Sequence, residues 1–239
     1  MTEHRIEFAS AGQTFTGFLC EPDTELAERR AGVMVLHGGA GLGAHERDRA
    51  RRLAELGYVA FVPDLFGEIF QSRERGMEVI KRLVGDPPAL RKRLADALGC
   101  MVSLSGVDAA RLAAIGFCFG GLAALELARS GAAMRAVVSF HGGLTAQAPA
   151  EPGTVKARVL ACTGAADPFV TREHRTAFED EMTRAGADWQ LHVYGNTLHG
   201  FTERHLVDPK AQRPGSQYHE ASDHRSWGAM RALFAECLA

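Results

Sequence analysis

The stretch from Leu112 to Arg129 constrains the fold more than any other part of the chain. It opens with a short apolar run that has the length of a buried strand, and it closes with an Ala- and Leu-rich run that favours a helix. Between the two runs lies the sequence Gly-Phe-Cys118-Phe-Gly-Gly. A nucleophile held in a strand-to-helix turn needs small residues two positions before and after it, and Gly116 and Gly120 meet that need. The stretch therefore predicts a strand, a tight turn that presents Cys118, and a helix.

Cys118 at the start of a helix is a candidate nucleophile. The backbone N–H groups and the dipole of a helix N-terminus favour a thiolate, and a protonated histidine beside the thiol would favour it further. Burial between Phe117 and Phe119 opposes ionisation. With a histidine partner we expect the thiol to rest partly as a thiolate. A free cysteine is also a common small buried residue, so the motif alone leaves a structural role open.

Composition excludes several classes of function. The chain has 239 residues, of which 46% are hydrophobic, and we expect a single domain over residues 1–239. The formal net charge of −2 does not favour nucleic acid or an anionic membrane surface as a partner. No apolar run reaches the roughly 20 residues that span a bilayer, and the polar N-terminus lacks the apolar region of a signal peptide.

The cysteines and histidines bear on two further questions, whether the protein has disulfides and whether it binds a metal. The five cysteines are scattered and form no C-x-x-C pair, which is typical of a cytoplasmic protein without disulfides. The ten histidines show neither H-E-x-x-H nor H-x-H spacing, so the sequence predicts no metal site.

Strands and helices alternate along most of the chain. Two strands, from Glu3 to Ala9 and from Gln13 to Cys20, predict an antiparallel hairpin at a sheet edge. A polar loop is predicted at 21–30. Further strands are predicted at 32–36, 58–62, 112–115, 136–140, 158–163 and 189–194, with helices at about 45–56, 75–83, from 86 onward, 119–129, 171–185 and 219–238. This alternation is typical of a mostly parallel, twisted sheet with helices on both faces.

Partners for a thiol nucleophile follow two of the predicted parallel strands. Asp167 follows the strand at 158–163, and His199 follows the strand at 189–194. Ligands bind at this edge of a parallel sheet, and a nucleophile needs a base that an acid orients. Taken singly, Asp167 is an ordinary turn residue and His199 an ordinary loop histidine. The order nucleophile, acid, histidine, each after its own strand, predicts a Cys-His-Asp site.

The sequence resembles the dienelactone hydrolase family of α/β-hydrolases. The resemblance rests on the motifs around Cys118, Asp167 and His199, on Val-Pro-Asp64-Leu-Phe-Gly, and on Arg-Ser-Trp227 near the end of the chain. It implies an α/β-hydrolase fold and the hydrolysis of esters or lactones, in the class EC 3.1.1, through a thioester acyl-enzyme and without a cofactor. The partner expected is a small-molecule ester or lactone, and the expected state is a monomer or a small homo-oligomer.

The family pattern also implies a role for each motif residue. Cys118 would be the nucleophile, His199 the base and acid, and Asp167 the residue that orients the histidine. The backbone N–H groups of Phe119 and Gly39 would form the oxyanion hole.

Two positions depart from the members of the family that open dienelactones. Those members place a glutamate after the first parallel strand, where Gly38 stands here. They also carry an arginine soon after the catalytic histidine, where this chain has Glu203 and Arg204. Arg73 and Arg75 could replace that arginine in the substrate pocket, or they could be exposed helix surface.

Two further residues are candidates for the substrate pocket. Phe201 lies in the His-Gly-Phe motif, and His141 follows the predicted strand at 136–140. The alternative role for His141 is that of a hydrogen-bonded loop histidine.

Two other functions remain open from the sequence. Residues 39–44 fit the pattern G-x-G-x-x-A through Gly39 and Gly41, and Asp64 ends the next strand, as in an NAD(P)-binding oxidoreductase. That interpretation leaves the Cys-His-Asp residues without a role. Alternatively, Cys118 could be oxidised reversibly in a non-catalytic, redox-sensing protein.

Overall fold

Eight strands form one sheet in the part of the chain that the structure describes. The structure, a computed structural model, describes residues 1–23 and 29–239, so part of the loop predicted at 21–30 lies outside the described residues. The strands are β1 (Thr2–Ser10), β2 (Gln13–Glu21), β3 (Arg30–Leu36), β4 (Val59–Pro63), β5 (Val107–Phe117), β6 (Ala136–Phe140), β7 (Arg158–Gly164) and β8 (Trp189–Tyr194). Their order in the sheet is β1-β2-β4-β3-β5-β6-β7-β8.

Helices cover both faces of this sheet. They are α1 (Ala44–Glu55), α2 (Arg73–Val84), α3 (Pro87–Ser103), α4 (Phe119–Arg129), α5 (Arg172–Arg184) and α6 (Glu220–Cys237), with a short 3₁₀ helix at Arg204–Val207 that the sequence did not predict. The buried side chains of α1 and α6 pack on one face, and those of the other four α-helices pack on the opposite face. Within the described ranges, no helix is long and apolar enough to cross a membrane. The predicted α/β-hydrolase fold is confirmed.

The predicted N-terminal hairpin is present at the edge of the sheet. β1 pairs with β2, and β2 pairs with β4, both antiparallel. The turn consists of Ala11 and Gly12, which both have positive φ, of 48° and 76°. Two such residues form the tight turn whose twist matches that of the two strands. The other neighbours in the sheet, in the order β4-β3-β5-β6-β7-β8, pair in parallel.

β5 begins five residues before the apolar run that predicted it. Val107 pairs with Arg30 of β3, and the register then shifts between Ala31 and Gly32. The carboxylate of Asp108 accepts a hydrogen bond from the N–H of Ala110 at 2.9 Å. After the buried Val107, the residues up to Arg111 are small or polar and none is buried, so hydrophobic periodicity did not indicate this part of the strand.

Two glycines bring the start of α4 against the sheet. A Cβ on Gly116 would collide with the carbonyl group of Gly120, and a Cβ on Gly120 would collide with the carbonyl of Leu36. The turn between β5 and α4 therefore touches the end of β3 through backbone atoms alone. This contact places the residue between β5 and α4 at the carboxyl edge of the sheet.

We expect Gly116→Ala to lower the free energy of unfolding by about 3 kcal/mol or more, because the atoms it would meet are backbone atoms. Gly228→Ala in α6 is the matched control. A Cβ there meets nothing within 4 Å, and alanine favours a helix by up to about 1 kcal/mol. Urea unfolding followed by circular dichroism measures both values. Equal stability of the two variants would contradict the close approach.

Candidate active site

Cys118 is held in a strained turn between β5 and α4. Its backbone has φ of 53° and ψ of −115°, a conformation that residues other than glycine rarely adopt. The N–H of Cys118 donates to the carbonyl of Phe140 at 3.1 Å, which ties the turn to the end of β6. The thiol is partly exposed. The turn therefore presents Cys118 to solvent at the carboxyl edge of the sheet.

Asp167 is fixed after the end of β7. The residue is only 4% exposed. Its Oδ1 accepts a hydrogen bond from the N–H of Phe169 at 2.8 Å, and its Oδ2 lies 2.8 Å from Nδ1 of His199. Both carboxylate oxygens are therefore engaged, and one of them orients the histidine ring.

Backbone contacts between two loops bring Asp167 and His199 together. The N–H groups of Ala165 and Ala166 donate to the carbonyl groups of Tyr194 and Thr197, at 2.8 and 3.1 Å. A Cβ on Gly164 would collide with the Thr197 carbonyl, so only glycine allows this approach. The loop after β7 therefore lies against the loop after β8.

His199 connects Asp167 to the thiol. Its ring is hydrogen bonded to the Asp167 carboxylate and to the side chain of Cys118. Burial acts to lower the pKa of His199, but these two hydrogen bonds and the charges of both partners raise it to about 10. The structure thus brings together the three residues that the sequence singled out.

His141 packs against His199 and stays neutral. The two rings meet edge to face, with centroids 5.1 Å apart. Nε2 of His141 lies 2.8 Å from the hydroxyl oxygen of Thr202. Complete burial, together with the positive charges of neighbouring groups, holds the pKa of His141 well below its ordinary value. His141 therefore supports the His199 ring from the protein side, while Phe169, 53% exposed, contacts that ring from the solvent side.

Two backbone N–H groups are free to face a substrate oxygen. Those of Gly39 and Phe119 donate to no acceptor among the described residues. The N–H of Gly38, by contrast, donates to Oε1 of Glu46 at 3.2 Å. Gly38 lies against the thiol-bearing turn, because a Cβ on it would be 3.7 Å from Cys118 Cβ. The N–H groups of Gly39 and Phe119, the two that the family pattern implies for the oxyanion hole, are therefore without a protein acceptor among the described residues.

The other predicted pocket residues lie less directly at the site. Phe201 is fully buried and packs against His141, because the loop after His199 turns inward at this point. Arg73 is exposed on α2. Arg75 forms ion pairs with Glu68 and Glu78, at 2.8 and 3.4 Å.

The loop after His199 provides an acid near the candidate base. Arg204 is exposed and hydrogen bonded to Tyr218. Glu203 is mostly buried, and burial raises its pKa despite the nearby charges of His205 and Arg213. Of these two residues, the acid Glu203 is therefore the more buried one, and Arg204 is exposed.

Asp64, the acid of the dinucleotide-binding alternative, has a local structural role. Its Oδ1 accepts hydrogen bonds from the N–H groups of Phe66 and Gly67, at 2.9 and 3.2 Å. The neighbouring N–H of Leu65 donates to Nε2 of His37 at 2.8 Å. These contacts hold the loop after β4 against the end of β3.

Comparison with known proteins places the chain in a family. Residues 15–238 match the model of the dienelactone hydrolase family. The chain belongs to the dienelactone hydrolase family. A Yersinia pestis protein named "Putative carboxymethylenebutenolidase" is 28% identical, over 95% of this chain and 85% of that protein.

Solved structures of this family resemble the chain along its whole length. One, named "m3DLH", is 41% identical with a TM-score of 0.94, over 100% of this chain and 99% of that chain. Another, a dienelactone hydrolase-like promiscuous phosphotriesterase from metagenomic libraries, is 36% identical with a TM-score of 0.94, over the same shares of the two chains.

Three side chains that contact the site of this dienelactone hydrolase family member were not predicted from the sequence. Glu46 accepts a hydrogen bond from Gly38, Thr202 is hydrogen bonded to His141, and Phe169 packs against His199. Only Glu46 left a signal, because an acid three residues after a helix cap is a common capping pattern. The contacts of Thr202 and Phe169 depend on the conformation of the loops that carry them, which the sequence does not indicate.

We expect iodoacetamide at neutral pH to label Cys118 before the other four thiols. Burial raises the pKa of Cys20 to about 11 and of Cys162 to about 12. Burial also raises the pKa of Cys100 and of Cys237. Peptide mass spectrometry after limited labelling identifies the modified residue. Label confined to another cysteine, with esterase activity lost, would contradict the assignment of Cys118.

Proposed function

We propose that this chain hydrolyses carboxylic esters or lactones through a thioester on Cys118. The observation that carries the proposal is the hydrogen-bonded series from Asp167 through His199 to a thiol in a strained strand-to-helix turn. Membership of the dienelactone hydrolase family supports it, as does a relative whose name denotes an enzyme that acts on a butenolide, which is a lactone.

The first half of the proposed reaction forms the thioester. The Cys118 sulfur attacks the carbonyl carbon, and the electron pair of the C=O bond moves to the oxygen. The free N–H groups of Gly39 and Phe119 stabilise this oxyanion. The intermediate then collapses, the C–O bond to the alcohol breaks, and the protonated His199 gives its proton to the departing alkoxide.

The second half releases the acid. A water molecule loses a proton to His199 as its oxygen attacks the thioester carbon. Collapse of the second intermediate breaks the C–S bond and returns the thiolate, so the carboxylic acid leaves. Asp167 keeps Nδ1 of the ring engaged throughout, which leaves Nε2 to move both protons.

The thiol nucleophile restricts the substrate class. A thiolate leaves a tetrahedral intermediate more easily than an amine anion does, so attack on an amide reverts instead of cleaving it. An alkoxide or an enolate from an activated ester is a better leaving group than an amine anion, so it competes better with the thiolate for departure from the intermediate. Esters, enol esters and lactones therefore suit this site, and peptides do not.

A substrate carboxylate is not required in this proposal. Arg75 is already paired with two acids at the surface, and Arg204 is bonded to Tyr218. The carboxyl group of Glu203 lies near His199, since a Cβ on Gly200, the following residue, would be 3.6 Å from its Oε1. Neutral esters avoid the unfavourable interaction of two carboxylates at this place.

The test is a panel of chromogenic esters, lactones and a peptide anilide, with and without a substrate carboxylate. We expect turnover of neutral activated esters and lactones, no gain from an added carboxylate, and anilide cleavage at the background rate. Ester hydrolysis is measured by product absorbance. Anilide cleavage at a rate comparable to that of the ester would contradict the proposed chemistry.

Three variants control this panel. Cys118→Ala and His199→Ala should abolish turnover, because the nucleophile and the base act as a unit. Asp167→Asn should keep a small residual activity, reduced by about 10⁴-fold. Thermal unfolding of each variant separates loss of chemistry from loss of fold.

The pH dependence of kcat/KM should report the proton on His199. Because its pKa is raised to about 10, activity should persist through neutral pH and fall as the pH rises through about 10. In Asp167→Asn the favourable hydrogen bond and charge are lost, so this fall should move to lower pH by at least about 1 pH unit. Initial rates, corrected with Cys118→Ala, measure both curves. An unchanged alkaline limb in Asp167→Asn would contradict the role of Asp167.

A further inference from the structure

One carboxylate holds both ends of the loop that carries Gly39. Glu46 is the third residue of α1 and is only 5% exposed. Its Oε1 accepts the N–H of Gly38 at 3.2 Å, and its Oε2 accepts the N–H of Gly43 at 3.0 Å. The loop from 38 to 43 is therefore closed by a single side chain.

Apart from Glu46, the hydrogen bonds of this loop centre on the Gly38 carbonyl, which lies 2.9 Å from Nδ1 of the His37 ring. Four of its six residues are glycine, and glycine loses the most conformational freedom when it is ordered. Gly41 has a φ of 86°, and its N–H donates to the carbonyl of Gly38 at 3.1 Å. The two hydrogen bonds to Glu46 supply the further restraints that such a chain needs in order to keep one conformation.

The bond to Gly38 decides which N–H group faces the substrate. The N–H of Gly38 is engaged by Glu46, whereas the next N–H group along the chain, that of Gly39, has no acceptor among the described residues. Gly38 also touches the thiol-bearing turn, since a Cβ on it would lie 3.6 Å from the Phe117 carbonyl oxygen. A shift of the Gly38 peptide would therefore move the Gly39 N–H relative to Cys118.

We propose that Glu46 is a positioning residue that sets the Gly39 N–H for the oxyanion of the reaction. The inference rests on the proposed ester hydrolysis. The bond from Gly43 is an ordinary helix cap, which an acid at the third position of a helix commonly makes. The bond from Gly38 reaches eight residues back along the chain and does nothing for the helix. It is this second bond that serves the site.

Glu46→Gln separates the two roles of this side chain. Glutamine has the same size but only one acceptor oxygen, and its NH₂ group cannot accept a hydrogen bond from an N–H. One of the two loop bonds is therefore lost. Glu46→Asp keeps both acceptors but is one methylene shorter, so it can cap Gly43 and no longer reach Gly38. Glu220→Gln, which removes an exposed first-turn acid of α6, is the matched control.

The experiment compares two reactions of the same thiol. Ester turnover passes through an oxyanion, whereas alkylation by iodoacetamide does not. In Glu46→Gln and Glu46→Asp we expect kcat for a chromogenic ester to fall by about 10- to 100-fold with little change in KM. The alkylation rate of Cys118 should change by less than about twofold. Glu220→Gln should match the wild-type protein in both reactions.

Each other outcome overturns the inference. An equal fall in alkylation would mean that Glu46 acts on the thiol, and unchanged ester turnover in both variants would mean that it only caps α1. Amide hydrogen exchange, followed by NMR, gives a readout that needs no substrate. The Gly38 N–H should exchange faster in Glu46→Asp than in the wild-type protein, and equal rates would refute the bond. A wild-type protein that hydrolyses no ester would refute the proposed function while leaving this loop contact testable.

Discussion

The architecture of the site depends on backbone groups that touch without side chains between them. Gly116 and Gly120 allow the first turn of α4 to meet both β5 and the end of β3. Gly121 extends this contact to the loop after β6, because a Cβ on it would lie 2.8 Å from the Cα of Gly142. The ends of three strands are thereby drawn to one helix N-terminus. This close approach sets the positions of the Cys118 thiol, the free N–H groups and His141.

Much of the fold could be predicted because its signals are local. Short apolar runs followed by turn motifs marked the strand ends, and parallel strands place those ends at one edge. The motif order therefore predicted that Asp167 and His199 would meet, and their side chains lie 2.8 Å apart. The hairpin was predicted for the same reason. Two segments with the residue pattern of strands, joined by a short turn that contains Ala11 and Gly12, indicate a hairpin from neighbouring residues alone.

What could not be predicted depends on irregular backbone and on the direction of single side chains. The first residues of β5 extend the sheet through a polar segment around Asp108, so hydrophobic periodicity marks only the second half of the strand. Phe201 sits two residues from His199, but Gly200, with φ of 66°, turns the chain so that the phenyl ring points into the core. The hydrogen bond from Gly38 to Glu46 requires the loop conformation that it helps to create.

The two histidines at the carboxyl edge show how partners, and not burial alone, decide the protonation of a site. Both rings are largely buried and lie 5.1 Å apart. His199 faces the carboxylate of Asp167 and the thiol of Cys118, which raise its pKa against the effect of burial. His141 is hydrogen bonded to the uncharged hydroxyl of Thr202 instead, and burial and the nearby positive charges keep it neutral. Two charged rings at this distance would repel each other, and a neutral His141 lets His199 hold its proton. The ring that the proposed reaction needs in charged form is thus packed against one that stays neutral.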